Sequence, residues 1–378
     1  MHQPEGYVAS GKESLVCKLL KFLYGLKQSG RNWNILLTSV LKANGFKVSD
    51  ADPCMYRYGR DIILYWVDDI VIVCFVMKKI NKIKAILKGQ FKMTDLGPLK
   101  KFLGLHFTIK ESIITIDQGM YLSSILKKYN MSDCKPRSTP CEVAGSDSQS
   151  AEQLDPRKYR EIVGSLIYAT TCTRPDLSWV VSRLSQNLAE PRKVDWVMLK
   201  HVLRYVKGTI NYKLQYVKSD GMRLYGYSDS DWASDATDRR STSGYCFYLN
   251  EKSSPVSWKS KKQQTVALSS CEAEYMALGL CTQEVLFLLR FRPDFEFRSG
   301  AVPIWCDSQS AMDLVKNPVD HNRSKHIDIR HHFIREKAVS GVVDYQYVAS
   351  DDNVADSLTK ALPKQKHQHF LPQLLQLT

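Results

Sequence analysis

The sequence lacks the features of a secreted or membrane-spanning protein. It has no uninterrupted apolar run of about 18 residues, the length that a transmembrane helix needs. The longest apolar stretch, from Ile62 to Met77, is broken by Asp68 and Asp69. The N-terminus also lacks the basic start and the apolar core of a signal peptide. We therefore expect an intracellular protein, cytoplasmic or nuclear, with no membrane as a partner.

Paired cysteine motifs are absent as well. The ten cysteines are scattered along the chain, and none of them forms a C-x-x-C pair. Without a secretory signal, they predict reduced thiols rather than a disulfide framework. The same spacing argues against a structural zinc site.

Acidic residues are few relative to basic ones. The chain has 39 Asp and Glu against 53 Lys and Arg, which leaves a net charge of +14. This balance favours an anionic polymer as the partner, although charge alone does not exclude a merely basic soluble protein. The length of 378 residues predicts two or three domains, at about 150 residues per domain. The oligomeric state is left open.

The first 220 residues contain a mixed segment followed by a helical one. Residues 1–110 combine helical patterns with short apolar strands, and residues 111–220 are mostly helical. The pattern predicts helical segments over Leu15 to Asn44 broken at Gly25 and Ser29-Gly30, a strand–turn–strand over Ile62 to Val76, an amphipathic helix over Ile80 to Phe91, and a linker over Cys134 to Asp155.

The C-terminal third has a different pattern. Three successive strands joined by polar turns are followed by alternating helices and strands, which predicts a mixed sheet with helices on its faces. The expected elements are strands at Leu224 to Ser228, Ser243 to Leu249, Val256 to Lys259, Pro303 to Cys306 and Val342 to Val348, and helices at Ser270 to Leu289, from Ser308, near Ile327 to Val339 and near Val354.

Four carboxylates occur at matching points of these elements. Asp229 ends the first strand, Glu274 lies on the long helix, Asp307 ends the fourth strand, and Asp356 opens the last helix. Several acids buried together are costly unless cations neutralise them, and oxygen ligands of this kind suit Mg²⁺. Taken singly, each acid has a simpler interpretation as a surface cap, for example Asp307 before Ser308.

The motifs around these acids resemble the RNase H domain of copia-type retrotransposon Pol polyproteins over residues 222–362. They are Tyr227-Ser228-Asp229-Ser230-Asp231-Trp232-Ala233, Asp238-Arg239-Arg240-Ser241-Thr242-Ser243-Gly244-Tyr245, Glu272-Ala273-Glu274-Tyr275, Cys306-Asp307-Ser308-Gln309-Ser310-Ala311 and Ala355-Asp356-Ser357-Leu358-Thr359-Lys360. The resemblance implies that Asp229, Glu274, Asp307 and Asp356 are catalytic acids that bind two Mg²⁺ ions, with Mn²⁺ as an alternative. Asp231 and Glu272 are the nearest alternatives for the positions of Asp229 and Glu274. Many RNases H carry a histidine before the last acid, and residues 347–353 contain none, so the proton-transfer group is unassigned.

A second acidic motif lies between apolar strands. Asp68 and Asp69 follow Tyr65-Trp66-Val67, and adjacent aspartates in a tight turn can present carboxylates to Mg²⁺, although a polar hairpin turn is a common alternative. The motifs Gln3-Pro4-Glu5-Gly6-Tyr7, Leu23-Tyr24-Gly25-Leu26-Lys27-Gln28 and Asp95-Leu96-Gly97-Pro98-Leu99 resemble the copia-type reverse transcriptase.

This second resemblance implies site residues and one absence. It implies that Asp68 and Asp69 are catalytic metal ligands and that Gly25, Lys27 and Gln28 bind nucleic acid. In the family, the strand with the first catalytic aspartate lies upstream of Gln-Pro-Glu-Gly, the motif at which this chain begins. We therefore expect a truncated polymerase that is inactive alone.

Basic residues between the C-terminal acids predict phosphate contacts. Arg239, Arg240, Lys259, Lys261 and Lys262 are expected to grip the backbone of an RNA–DNA hybrid without reading its sequence. A solvated charged edge strand is the alternative interpretation.

The sequence thus predicts an α+β or α/β chain in four parts. These are a truncated reverse transcriptase palm and fingers (1–110), a helical thumb and connection region (111–221), an RNase H-like mixed five-stranded sheet flanked by helices (222–365) and a tail (366–378). The predicted function is Mg²⁺-dependent hydrolysis of the RNA strand of RNA–DNA hybrids. The alternatives are RNA-directed DNA polymerisation in a longer product and a non-catalytic nucleic-acid-binding transposon remnant.

Overall fold

The computed structural model divides the chain into two compact units, Met1–Gly97 and Pro98–Thr378. The structure describes residues 1–21, 23, 25–142, 155–219, 221–295, 297–298, 300–316 and 325–377, and residues 325–331 by their backbone alone. Most of the predicted linker, residues 143–154, therefore lies outside the described residues. Among the helices that are described, none combines the length and the apolar character needed to cross a membrane.

The first unit is a four-stranded antiparallel sheet with two helices. Its strands lie in the order β1-β2-β3-β4. The elements are α1 (Ser29–Ala43), β1 (Lys47–Val48), β2 (Met55–Tyr58), β3 (Asp61–Trp66), β4 (Asp69–Val73) and α2 (Met77–Gln90). Leu37 and Leu41 of α1 pack with Tyr56, Ile63 and Leu87 in the core of the unit.

The predicted strand–turn–strand at Asp68-Asp69 is confirmed, whereas the helical prediction before Ser29 is wrong. The described residues between Leu15 and Gln28 form turns, bends and irregular backbone, with one isolated β-bridge from Val16 to His2, and Ser29-Gly30 begin α1 instead of interrupting a helix. Leu20 is 93% exposed, and Leu23 and Leu26 are also exposed. A short helix with no apolar face to bury has too little to offset the cost of its nucleation.

The second unit begins with an antiparallel sheet and a helical layer. The sheet has the order β5-β6-β7-β8, and β8 returns to β7 after the helices. The elements are β5 (Lys101–Phe102), β6 (Leu105–Lys110), β7 (Ile113–Asp117), α3 (Gly119–Lys128), α4 (Pro156–Cys172), a 3-10 turn (Pro175–Leu177), α5 (Ser178–Ser185), α6 (Lys193–Gly208) and β8 (Leu214–Val217). The helices between residues 111 and 220 were expected. The pairing of β7 with β8 was not, because it joins short segments almost 100 residues apart.

A mixed five-stranded sheet dominates the rest of the second unit, as the sequence predicts. Its order is β11-β10-β9-β12-β13; β9, β10 and β11 are antiparallel, and β9, β12 and β13 are parallel. The elements are β9 (Tyr225–Ser230), β10 (Thr242–Tyr248), β11 (Ser257–Lys262), α7 (Ser270–Leu289), α8 (Arg292–Phe295), β12 (Val302–Cys306), α9 (Gln309–Lys316), α10 (Lys325–Val339), β13 (Val343–Tyr347), a 3-10 segment (Val354–Leu358) and α11 (Lys364–Leu374).

Both faces of this sheet are covered. Tyr245 and Phe247 of β10 pack with α7 on one face, and the alternating Cys246 and Tyr248 pack with the C-terminal elements on the other. Residues 366–378, expected to be a tail, include most of α11, whose Phe370 is fully buried.

Candidate active site

Three carboxylates converge at one edge of the mixed sheet. β9 ends at Ser230 directly after Asp229, and Asp307 directly follows the parallel neighbouring strand β12. The carboxyl ends of parallel strands meet at the same sheet edge, which brings these two acids together. Glu274 comes from the second turn of α7. One ligand atom of each side chain lies within 4.8 Å of the others, so the group could hold a metal ion.

Two of the three acids, Asp229 and Glu274, are buried, and the cluster contains an acceptor atom without a hydrogen-bond partner. Glu274 Oε1 accepts a hydrogen bond from the Ser230 amide at 3.1 Å, but the buried Oε2 atom has no hydrogen-bond partner. Asp307 Oδ2 accepts from Ser350 Oγ at 2.6 Å. An orphaned buried oxygen among three carboxylates fits a hard divalent cation, which prefers oxygen ligands.

The electrostatics of the cluster disfavour its ionised form. Burial, followed by the charge of Asp356, raises the pKa of Asp229 to about 8. Burial, followed by the charges of Asp229 and Asp307, raises the pKa of Glu274 to about 10. A cation between these groups would reverse both effects by favouring the charged carboxylates.

Asp356 lies beside this group but is engaged by lysines. It is fully buried in the segment Val354–Leu358, and its carboxylate oxygens lie 2.6 Å from Lys360 Nζ and 2.7 Å from Lys366 Nζ. The group of three carboxylates does not include it. Its predicted role as a fourth metal ligand therefore stays a prediction.

Three polar neighbours of the acids were not predicted as site residues from the sequence. Thr359 Oγ1 donates to Asp229 Oδ2, and Lys360 and Lys366 contact Asp356. Although burial disfavours the charge of Lys360, the carboxylates of Asp229 and Asp356 raise its pKa. The signal for Lys360 is its position four residues after Asp356, which suits an ion pair on one turn. Lys366 gives no comparable local signal.

The two alternative acids, Asp231 and Glu272, form structural hydrogen bonds of their own. Asp231 accepts hydrogen bonds from Ser234 Oγ and from the Thr242 amide, which ties β9 to β10. Glu272 accepts from the Leu268 amide at 2.7 Å, while Ser269 Oγ accepts from the Glu272 amide, so Glu272 caps the start of α7.

Gln263 fastens the elements that carry the acids. Its buried side-chain nitrogen lies 3.2 Å from Ser230 Oγ, 2.9 Å from Ser243 Oγ and 2.9 Å from the Ala273 carbonyl oxygen. It thereby connects β9, β10 and α7 behind the carboxylates.

The predicted phosphate-binding cations fall into two groups. Arg239, Lys259 and Lys261 are exposed, and within the described part of the chain they form no ion pair. Lys262 instead contacts Asp235 and lies 3.0 Å from Asp238, and Arg240 lies 3.6 Å from Asp238. The first group is available to an external anion without the loss of an internal ion pair.

The paired aspartates Asp68 and Asp69 belong to the first unit. Asp68 and Asp69 are exposed at the β3–β4 turn, and no group of three metal-competent side chains among the described residues includes them. Val67 in this turn has a φ of 51°, a strained value for a β-branched residue, and its carbonyl accepts from Trp33 Nε1 at 2.6 Å. Gly25, Lys27 and Gln28 are exposed just before α1, and their predicted role remains a prediction.

Comparison with known proteins identifies a matching family and several relatives of this chain. Residues 1–143 match the family described as "Reverse transcriptase (RNA-dependent DNA polymerase)". The chain is 37% identical over 383 residues to the retrovirus-related Pol polyprotein from transposon TNT 1-94 of Nicotiana tabacum, covering 97% of this chain and 29% of that protein. It is 30% identical over 291 residues to a transposon Ty5-1 protein of Saccharomyces cerevisiae, covering 75% of this chain and 94% of that protein.

The similarity extends to a solved structure. A foamy viral protease–reverse transcriptase, solved in complex with an RNA/DNA hybrid, aligns with a TM-score of 0.51 at 12% identity, covering 87% of this chain and 39% of that one. This likeness indicates a shared fold. The chain spans 26–29% of the length of the plant Pol polyproteins that it matches over almost its whole length.

Proposed function

Because the chain belongs to the copia-type retrotransposon Pol family, we propose that its C-terminal domain hydrolyses the RNA strand of RNA–DNA hybrids. The observation that carries this proposal is the meeting of Asp229, Glu274 and Asp307 at the edge of a mixed five-stranded sheet, with Glu274 Oε2 unpartnered. The hybrid bound by the foamy viral neighbour is consistent with this substrate.

A divalent cation is the cofactor that suits this cluster, with Mg²⁺ as the first choice and Mn²⁺ as the alternative. When bound, such a cation stabilises negative charge on a phosphodiester under attack by water. Asp229, Glu274 and Asp307 would hold it. Two ions, with Asp356 as a further ligand, remain part of the proposal.

The exposed cations are proposed to bind the phosphate backbone of the substrate. Arg239 follows β9 in the loop to β10, and Lys261 lies on β11 opposite Ser243, which itself pairs with Ser230. These side chains are therefore close in the sheet to the strand end that carries Asp229. They can contact phosphates of the substrate backbone, and such contacts do not depend on sequence.

The test is cleavage of a labelled RNA–DNA hybrid by the purified chain with Mg²⁺. We expect Asp307→Asn and Glu274→Gln to lose activity by about 100-fold or more, since a single electrostatic group at a transition state has an effect of that size. Glu272→Gln is the matched control, because Glu272 lies on the same helix but caps its start.

Two results would contradict the proposal. The first is a folded parent chain that leaves the hybrid intact, which would favour a binding-only remnant. The second is equal activity in Glu274→Gln and Glu272→Gln, which would show that the carboxylate cluster does not carry the chemistry.

We further propose that this chain alone does not polymerise DNA. Two-metal nucleotidyl transfer needs carboxylates from more than one strand. Among the described residues, Asp68 and Asp69 have no third metal-competent side chain beside them. Incorporation of deoxynucleotides by the purified chain on a primed RNA template would refute this assignment.

A further inference from the structure

An exposed apolar rim borders the carboxylate cluster. We define this rim as Trp232, Val266 and Leu268, which are 54%, 45% and 82% exposed. Trp232 lies in the loop between β9 and β10, and the other two residues lie in the loop between β11 and α7. None of them contributes to the chemistry proposed above.

The rim is fixed in place rather than loosely attached. Trp232 Nε1 donates to the carbonyl oxygen of the buried Ala267 at 3.3 Å, which joins the two loops. On one side of Trp232, Asp231 accepts from the Thr242 amide; on the other, the Ala233 amide donates to Ser241 Oγ at 3.0 Å. The polar edge of the indole is therefore satisfied inside the protein while its ring remains accessible.

The rim lies at the same edge of the sheet as the acids. Trp232 comes three residues after Asp229, and Leu268 directly precedes Ser269, the N-cap of the helix that carries Glu274. Arg239, exposed and without an ion pair among the described residues, belongs to the same loop as Trp232. Apolar surface, a free cation and a carboxylate cluster are thus adjacent.

This combination of apolar surface, cation and carboxylates indicates which kind of partner can bind here. A ligand that satisfies it must carry phosphates for the cations and apolar faces for the rim, and a nucleic acid duplex has both. An A-like duplex presents a wide, shallow minor groove in which sugars and base edges are accessible. An apolar peptide would leave the cations unpaired, and a free phosphate would leave the rim exposed to water.

We propose that Trp232 and Leu268 pack against the sugars and base edges in the minor groove of the RNA–DNA hybrid and so set the position of the cleaved phosphate over the acids. This inference rests on the proposed function, because it takes the hybrid as the substrate. Trp232 and Leu268 act here as positioning residues, and the carboxylates carry the reaction.

Salt dependence separates this contact from an ionic one. A lysine or arginine that neutralises a phosphate releases counterions, which makes binding weaken steeply with salt. An apolar contact releases none. Loss of the rim should therefore weaken hybrid binding without a change in the slope of log Kd against log salt.

The experiment measures hybrid affinity by fluorescence anisotropy with Ca²⁺ in place of Mg²⁺ at several salt concentrations, and cleavage with Mg²⁺ in parallel. Trp232→Ala is expected to raise Kd and KM roughly 5- to 50-fold, in the range of base–aromatic contacts, with an unchanged salt slope and a smaller change in kcat. Trp232→Phe should retain most of the affinity, since a phenyl ring still packs in the groove.

Two further variants complete the design. Leu268→Ser should weaken binding in the same way, and it carries the test if Trp232→Ala proves unfolded by circular dichroism. Val339→Ser is the matched control, because Val339 is 83% exposed in the same unit but lies at the end of α10. It should leave Kd unchanged.

The outcomes distinguish the two proposals. If the parent cleaves the hybrid but folded Trp232→Ala and Leu268→Ser bind as well as the parent, the rim proposal fails and the proposed function stands. A reduced salt slope in Trp232→Ala would also overturn it. If the parent neither binds nor cleaves the hybrid, both proposals fail.

Discussion

Asp229 and Glu274 lie in a buried site in which both carboxylates resist ionisation. Burial is the main cause for both; the charge of Asp356 adds to it at Asp229, and the charges of Asp229 and Asp307 add to it at Glu274. Such an arrangement costs folding free energy whenever the acids are charged without a cation. At the scale of single residues, the cluster therefore links pH, divalent cations and stability.

We predict that without divalent cations the melting temperature falls as the pH rises. The pKa of Asp229 rises from 3.8 to about 8 on folding, so between these values the unfolded chain releases a proton that the folded chain keeps. The stability that this group contributes is complete below about pH 4 and is lost as the pH approaches 8. Thermal denaturation in chelator across this range, for the parent and for Asp229→Asn, measures it.

Adding Mg²⁺ in the same experiment should have the opposite effect on stability. Mg²⁺ binds the ionised carboxylates, so it should raise the melting temperature more at pH 8 than at pH 5. Asp229→Asn should show a weaker decline with pH in chelator and a smaller response to Mg²⁺. A parent chain whose melting temperature is equally insensitive to Mg²⁺ at both values would contradict the assignment of a metal site.

Among the elements of the second unit, α6 and α11 meet at a buried polar network. Arg174, immediately before the 3-10 turn, pairs with Asp176 through two hydrogen bonds of 2.9 and 2.7 Å, and all of these groups are buried. Tyr205 of α6 donates to Asp176 at 2.8 Å and lies 3.1 Å from His367 Nε2 of α11. Because Lys366 on the same helix contacts Asp356, this network helps to hold α11 beside the candidate active site.

We predict that Arg174→Met lowers the free energy of unfolding by about 3–5 kcal/mol, because it leaves the Asp176 carboxylate buried and unpaired. The double variant Arg174→Met, Asp176→Leu should recover much of this loss, since it removes the stranded charge. Arg192→Met is the control: Arg192 pairs with Asp195 but its side chain is 61% exposed, so about 1 kcal/mol or less is expected.

Urea denaturation of the four proteins measures these differences. Equal losses in Arg174→Met and Arg192→Met would show that the buried network contributes no more than a surface pair. A double variant as unstable as Arg174→Met alone would assign the loss to packing rather than to the unpaired charge.

At the scale of the whole molecule, the effect of the net charge of +14 on nucleic-acid binding depends on the positions of the exposed cations. Lys259 and Lys261 are exposed on β11, the edge strand of the mixed sheet, while Lys262 on the same strand pairs with Asp235 and Asp238. Neighbouring lysines therefore have different roles: two are available to phosphates, and one stabilises the β9–β10 loop.

We predict that Lys259→Gln combined with Lys261→Gln reduces the slope of log Kd against log salt for hybrid binding by about 2, since each phosphate contact contributes about 0.9. Lys262→Gln is the contrasting variant. It should lower the melting temperature and leave the slope nearly unchanged, because its charge is already paired. Anisotropy titrations from low to moderate salt measure the slopes, and an unchanged slope in the double variant would place the phosphate contacts elsewhere.

The family and the mixed sheet of the second unit were predictable from sequence because their signals are local. The run around Asp229, the helix from Ser270 to Leu289 and the strand before Asp307 each carry their own periodicity, and the structure confirms the mixed sheet that they predict. The hairpin at Asp68-Asp69 was predictable for the same reason. The helical prediction from Leu15 failed because periodicity does not reveal whether a face has anything to pack against.

What the sequence determined by itself is the set of acids and the order of the elements that carry them. Tertiary structure decided which acids meet: the parallel pairing of β9 with β12 brings Asp307 to Asp229, while capping and hairpin contacts engage Glu272 and Asp231 elsewhere. It also decided the charge around Asp356, because Lys366 reaches it only through the docking of α11. Contacts between distant segments depend on packing, which no local pattern of residues encodes.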